Sequence, residues 1–118
     1  MKGIFGLLAA VAVMAGVPGS VYAQDGKNRR VTVENLSSQA VYYLYASPIS
    51  ATTWEEDLLG SSTIPAGTSK VANIDNGTTE CYYDLKAVMA DGKEQIQRKI
   101  NVCAVSKWVI GDSGNSVQ

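Results

Sequence analysis

The segment CYYDLKAVMADGKEQIQRKINVC, residues 81–103, decides the fold class. Its first half alternates apolar and polar residues, the period-2 pattern of a β-strand with one buried face. Asp91-Gly92 is a strong turn signal, and a second run containing Ile and Val follows it. The segment therefore predicts a β-hairpin of two strands, at about Glu80–Ala90 and Glu94–Cys103, with a cysteine at each open end.

The register of this hairpin contains a conflict between the turn and the cysteines. A two-residue turn at Asp91-Gly92 gives good cross-strand pairs. These pairs are Tyr83 with Ile100, Ala87 with Ile96, and Asp84 with Lys99. The same register turns Cys103 away from Cys81, because neighbouring residues alternate between faces. We therefore predict one β-bulge within Arg98–Val102, which would shift the register by one residue.

Other short runs rich in β-branched and aromatic residues recur between turn signals, and no segment after residue 23 has a helical period. Strands are predicted at residues 30–36 and 40–46, joined as a hairpin through Ser37–Gln39, and at 69–74 and 107–110. Strands at this spacing predict an all-β fold, a small antiparallel β-sandwich of about six to eight strands, with a partly open barrel as the alternative.

The first 23 residues have the layout of a secretory signal peptide. Lys2 precedes an apolar stretch at residues 4–17, Pro18-Gly19-Ser20 breaks it, and Val21-Tyr22-Ala23 offers small residues for cleavage after Ala23. The apolar stretch is shorter than the ~20 residues that span a bilayer. We therefore expect a periplasmic or secreted protein that spans no membrane after cleavage. Its predicted parts are a flexible leader (24–29), a sandwich domain (30–110) and a disordered tail (111–118).

Composition limits the chemistry of the exported part. Residues 24–118 carry nine Lys and Arg, because Lys2 is removed, against eleven Asp and Glu, a net charge of −2. This balance disfavours nucleic acid and anionic lipid as partners. The only cysteines, Cys81 and Cys103, are expected to form a disulfide in an oxidising compartment. The chain has no histidine, so the common nucleophile–histidine pairs and most zinc sites are excluded, and we expect no enzyme.

The long connection at residues 47–62 is the first candidate for a binding site, because loops of this length tend to be functional. Its candidate residues are Trp54, Glu55, Glu56, Asp57 and Gly60. One interpretation is a weak calcium or small-ligand site at Asp57 with Glu55 or Glu56 and loop carbonyls. The other is that Trp54 covers one end of the core while the acidic residues remain in water.

Tyrosines on two predicted strands form the second candidate. Alternation places Tyr43 and Tyr45 on one face and Tyr42 with Leu44 on the other. Two apolar faces fit either a strand covered on both sides, which we favour, or an exposed aromatic patch that meets a partner. Tyr42, Tyr45 and Tyr82 are the candidate surface aromatics.

Several of these motifs occur in an order and spacing that resembles a family of small secreted or periplasmic proteins of Gram-negative bacteria without an assigned activity. The matching stretches are 45–48 (YASP), 54–60 (WEEDLLG), 65–67 (PAG), 81–88 (CYYDLKAV) with Asp91-Gly92, and 101–103 (NVC). Glu55 departs from the glycine of the family pattern. The resemblance implies a β fold and an envelope or extracellular location, and it implies no catalytic residue or ligand.

These observations lead to one functional expectation and one alternative. The first is an exported, non-enzymatic β-sandwich module that binds a protein or another envelope component. The alternative is a secreted domain that binds calcium or a small ligand at the Trp54–Gly60 loop. No cofactor is expected apart from that possible calcium.

Overall fold

A computed structural model describes residues 26–118, which form seven β-strands and no helix. The strands are β1 (Arg30–Asn35), β2 (Val41–Pro48), β3 (Ser69–Asn73), β4 (Tyr82–Met89), β5 (Glu94–Asn101), β6 (Lys107–Gly111) and β7 (Gly114–Val117). They form two sheets that share one core, so the predicted all-β sandwich is confirmed. The predicted signal peptide and the first two residues of the leader lie outside the described residues.

The two sheets have four and three strands. One has the order β3-β1-β6-β7, with β1 and β6 parallel, and the other has the order β2-β4-β5. The predicted hairpin between the first two strands is therefore wrong, because β1 and β2 belong to different sheets. No described helix is long and apolar enough to cross a membrane.

A buried asparagine at the end of β1 explains why the chain changes sheets there. Asn35 is fully buried, and its Nδ2 donates to the carbonyl oxygens of Gln39 at 2.8 Å and Ile64 at 3.0 Å. Its Oδ1 accepts the backbone N–H of Ser37 at 3.1 Å and the Ser37 hydroxyl at 2.6 Å. These bonds hold residues 36–40 in a crossing between the sheets instead of a hairpin turn.

The core follows the alternation of the strands. In β1 the buried side chains include Val31 and Val33, and in β4 every second residue from Tyr83 to Met89 is buried. Trp108 of β6 is completely buried, and its indole N–H donates to Asn115 Oδ1 at 2.8 Å. Asn115 in turn donates to Gln95 Oε1 at 2.8 Å, which links β7 of one sheet to β5 of the other.

The β4–β5 hairpin contains the predicted bulge. Arg98 and Lys99 together lie opposite Asp84, Lys99 has a φ of 55°, and Tyr83 lies opposite Ile100 as predicted. The pairing on the turn side is wrong, since Ala87 lies opposite Gln95 and not Ile96. The turn has three residues, 90–92, because Met89 N–H donates to the Lys93 carbonyl at 2.8 Å. Gly92 supplies the left-handed conformation this turn needs, with a φ of 89°.

The disulfide between Cys81 and Cys103 is confirmed, with an S–S distance of 2.08 Å and Cα atoms 5.4 Å apart. Cys81 immediately precedes β4, and Cys103 lies in the turn after β5. The bond therefore closes the open end of the hairpin where its ladder ends.

The predicted disordered tail is wrong, because residues 114–117 form β7 along the edge of β6. Gln118 continues this pairing by donating its N–H to the Lys107 carbonyl at 2.9 Å. Backbone hydrogen bonds hold this strand together with two side chains, Val117, which packs against the core, and Asn115, which bonds Trp108 and Gln95. Its Gly, Asn and Ser composition therefore gave no strand pattern in the sequence.

The predicted flexible leader is also corrected at its last residue. Arg29 is 2% exposed, and its carbonyl accepts the N–H of Ile74 at 2.9 Å. The packed domain therefore begins at Arg29, since a buried and hydrogen-bonded residue belongs to the fold.

Candidate functional site

The outward side of the β2-β4-β5 sheet carries a row of aromatic and cationic side chains. Tyr43 lies opposite Val88, Tyr45 lies opposite Lys86, and Lys86 lies opposite Ile96. Directly opposed residues of an antiparallel ladder project from the same side of the sheet. The alternate residues Leu44 of β2 and Ala87 of β4 are buried in the core, so this row faces away from it.

Trp54 reaches this side of the sheet from the loop that follows β2. The loop is attached to β2 by a hydrogen bond of 2.8 Å from the Ser47 hydroxyl to the Thr53 carbonyl. Trp54 is half-buried and lies outside the core, so the interpretation that it covers one end of the core is wrong. The centroid of its ring lies 5.0 Å from Lys86 Nζ and 5.9 Å from Arg98 Cζ.

The side chains form a continuous series across three strands and the loop that follows β2. The rings of Tyr43 and Tyr45 are nearly parallel, with centroids 6.4 Å apart and planes inclined by 19°. Lys86 Nζ lies 5.2 Å from the Tyr45 centroid, so Tyr45 and Trp54 flank this ammonium group, and Arg98 follows Trp54. We refer to these five residues, Tyr43, Tyr45, Trp54, Lys86 and Arg98, as the aromatic face.

The two cations of the aromatic face each have a carboxylate partner. Lys86 Nζ lies 3.7 Å from Glu94 Oε2, and Arg98 Nη1 lies 3.2 Å from Asp84 Oδ2. The Lys86 side chain is 15% exposed, whereas that of Arg98 is 66% exposed. Cation–π contacts and ion pairs together restrict these flexible side chains. The result is a pre-ordered patch whose charges balance one to one.

The acidic loop residues have different roles. Asp57 Oδ1 accepts the backbone N–H of Leu44 at 2.8 Å and of Leu59 at 3.0 Å, which fixes the loop to the edge of β2. Gly60 has a φ of 60° and turns the chain after this attachment. Glu55 and Glu56 are exposed at an open cleft beside Asp57. Trp54 alone of the predicted loop residues joins the aromatic face.

The predicted calcium site receives no support from this arrangement. One Asp57 oxygen is already committed to two backbone donors. Across residues 26–118, no three side chains of His, Cys, Asp or Glu converge as a metal site would require. Calcium commonly takes six to eight oxygen ligands.

The candidate surface tyrosines are distributed along the sheet. Tyr42 and Tyr82 are each 46% exposed, whereas Tyr45 is partly buried within the aromatic face. A bulge between Val41 and Tyr43 interrupts the alternation of β2, so Tyr42 and Tyr43 are both exposed. The interpretation of this strand as covered on both sides is therefore wrong.

Tyr83 belongs to the core. It is 1% exposed, and its hydroxyl makes no hydrogen bond of ordinary geometry with the described residues. Burial raises the pKa of this hydroxyl, and this effect outweighs the lowering by the Thr78 side chain and by the positive charge of Arg29. Tyr83 therefore contributes packing and stays protonated in the fold.

Sequence reasoning did not assign Lys86 and Arg98 to the site. A signal for Lys86 was present, because it alternates with the buried Leu85 and Ala87 and so projects outward with Tyr45. Arg98 lies in the bulge opposite Asp84, and its approach to Trp54 depends on the loop conformation. No local pattern encodes that loop conformation.

The aromatic face offers rigid aromatic edges, hydroxyl groups and an exposed guanidinium for non-covalent recognition. Comparison with protein families, curated proteins and solved structures finds no match for this chain.

Proposed function

We propose that this protein is an exported, non-enzymatic β-sandwich module of the bacterial envelope that binds a protein partner through the aromatic face. The observation that carries the proposal is the series of Tyr, Trp and Arg side chains outside the core on one sheet. Tyr, Trp and Arg are enriched at the energetic centres of protein–protein interfaces.

Charge balance favours a protein over other envelope components. Lys86 and Arg98 are compensated by Glu94 and Asp84, so the centre of the face has no excess positive charge to attract a polyanion. The complementary surface would be apolar and uncharged at its centre, with carboxylates or carbonyls opposite the exposed Arg98. A pre-ordered patch also reduces the side-chain entropy lost on association.

Export rests on the sequence and on the disulfide. Residues 1–23 have the layout of a signal peptide, and the Cys81–Cys103 bond is of the kind that persists in oxidising compartments. The resemblance to small envelope proteins of Gram-negative bacteria supports the same location. We expect the protein recovered from the periplasm or medium to begin at Gln24, which N-terminal sequencing or intact mass would establish. A chain that retains residues 1–23 would contradict cleavage after Ala23.

Site-specific cross-linking tests the binding surface. A photo-reactive amino acid is placed at Tyr43 on the aromatic face and, in a matched variant, at Val71, which is 56% exposed on the other sheet. We expect a discrete adduct with an envelope protein from Tyr43 and none from Val71. Adding Arg98→Ala and Trp54→Ala should remove the adduct while leaving the melting temperature within a few degrees.

Three other results would contradict the proposal. Equal cross-linking from both positions would show that the contact is not specific to the aromatic face. An adduct of twice the mass of the chain would identify a second copy as the occupant. Binding to purified envelope polysaccharide without a protein adduct would identify a glycan.

No cofactor is part of this proposal, and the calcium alternative has its own test. A ligand at 100 times its dissociation constant adds about 2.7 kcal/mol to the free energy of unfolding. Melting curves in millimolar calcium and in chelator should coincide if Asp57 only holds the loop. A higher midpoint in calcium, lost in Asp57→Asn, would support the alternative instead.

A further inference from the structure

A buried arginine lies against one sulfur of the disulfide. Arg29 is 2% exposed, and its Nη2 lies 3.8 Å from Cys81 Sγ. Its Nε donates to the Glu80 carbonyl at 2.7 Å and its Nη1 to the Lys27 carbonyl at 3.4 Å. The carbonyl of Arg29 is itself tied to Ile74. The guanidinium is therefore fixed at the start of β4, beside Cys81.

The two cysteines have different surroundings. The Cys81 carbonyl accepts a hydrogen bond from Val102 N–H at 2.8 Å, and the Cys81 sulfur contacts the Arg29 guanidinium. Cys103 lies in the turn at residues 102–104, where its N–H donates to Asn101 Oδ1 at 3.1 Å, and the next residue, Ala104, is exposed. Both cysteines are half-buried, so the contact with the Arg29 guanidinium, and not exposure, is what distinguishes their two sulfurs.

We propose that the disulfide opens with a fixed direction: an incoming thiolate attacks Cys103 Sγ, and Cys81 leaves as the thiolate beside Arg29. The S–S bond between the two cysteines breaks as a new bond forms between the incoming sulfur and Cys103. The electron pair of the broken bond goes to Cys81 Sγ. No other oxidant or reductant is needed, because the incoming thiol is the co-reactant.

The physical reason is stabilisation of the leaving group. Thiol–disulfide exchange is faster when the departing sulfur is the better-stabilised thiolate, and a neighbouring arginine stabilises that form. Other charged or titratable groups share this corner, since Asp75 and Arg29 both act on the Tyr83 hydroxyl. On the pKa of that hydroxyl, the negative charge of Asp75 opposes the positive charge of Arg29. At Cys81 the guanidinium is in direct contact with the sulfur. Cys103 would therefore be the site modified by a small thiol or by a dithiol protein.

Adduct mapping with reduced glutathione tests the direction. The oxidised, folded domain is exposed briefly to glutathione, quenched in acid and capped with N-ethylmaleimide, and the adducts are located by mass spectrometry. We expect glutathione on Cys103 in about three- to tenfold excess over Cys81. In concentrated guanidinium chloride the ratio should fall toward one. An even ratio in the folded protein, or an excess on Cys81, would overturn the proposal.

Variants of the arginine separate charge from packing. Arg29→Gln, verified as folded by circular dichroism, should bring the adduct ratio toward one, whereas Arg29→Lys should retain part of the excess. Lys70→Gln, which removes an exposed cation of β3 in the sheet that does not contain β4, is the matched control and should leave the ratio unchanged. A folded Arg29→Gln protein with the original ratio would contradict the role of Arg29. If that variant does not fold, the comparison of folded and denatured wild-type protein still decides the direction.

Discussion

Replacing Asn35 with alanine should destabilise the domain more than any surface substitution. The Asn35 side chain makes four hydrogen bonds, to Gln39 O, Ile64 O, Ser37 N–H and the Ser37 hydroxyl. A typical intramolecular hydrogen bond contributes about 1 kcal/mol net, and buried groups left without partners cost more. Asn35 is 0% exposed, so water would not easily replace the amide. We expect the free energy of unfolding to fall by about 3–4 kcal/mol.

Urea denaturation of the disulfide-bonded domain, followed by tryptophan fluorescence, measures this loss. Asn73→Ala is the matched control, because among the described residues Asn73 Oδ1 accepts one hydrogen bond, from Asp75 N–H at 3.2 Å, in a more exposed position. The control should lose less than about 1 kcal/mol. A loss below about 1 kcal/mol for Asn35→Ala as well would refute the role of this amide in holding the crossing between the sheets.

Three further outcomes follow from contacts described above. Asp57→Ala should lower the free energy of unfolding by about 2–3 kcal/mol in urea, because Leu44 and Leu59 lose a charged acceptor; a change below about 0.5 kcal/mol would show that the loop is held otherwise. Tyr83→Phe should be neutral or stabilising by up to about 1 kcal/mol in thermal melts, since the buried hydroxyl makes no hydrogen bond of ordinary geometry with residues 26–118. A clear loss of stability would show that this hydroxyl has a bonding partner. Hydrogen bonds from the Ser38 N–H and hydroxyl lower the pKa of Asp112 in the folded protein. Asp112 should therefore stabilise the fold above its unfolded pKa, and this stabilisation should be lost as pH falls through its folded pKa. An NMR titration that places the pKa of the Asp112 carboxyl at or above the ordinary value would contradict this.

The strands that bury every second residue could be predicted from the sequence. β1 and β4 alternate strongly, and β2 contains a run of β-branched and aromatic residues, so that the positions of all three strands agree with prediction to within a few residues. The presence of only two cysteines, both in the part expected to be exported, predicted the disulfide, and the conflict of register predicted the bulge at Arg98–Lys99. In each case the information lies within one segment or one hairpin.

The features that sequence reasoning missed depend on distant partners. The turn at Ser37–Gln39 resembles a hairpin connection, and only the bond from Asn35 to Ile64, 29 residues away, shows that it crosses between sheets. β7 has little apolar pattern of its own and exists because β6 offers it an edge. The sequence identified Trp54 as a candidate residue of the binding loop. It did not predict that the Trp54 ring would lie beside Lys86 and Arg98.

The parallel pairing of β1 with β6 has a consequence for the timing of folding. Thr32 pairs with Lys107 and Asn35 with Ile110, so β1 can complete its pairing only with residues about 75 positions later in the chain. Such contacts raise the contact order, and domains rich in non-local pairs fold slowly, typically in milliseconds to seconds. A chain emerging from its amino end would thus keep β1 without its β6 neighbour until nearly all of it had been released. Because β1 and β6 both contribute side chains to the core, slow completion of this sheet would also delay closure of the core.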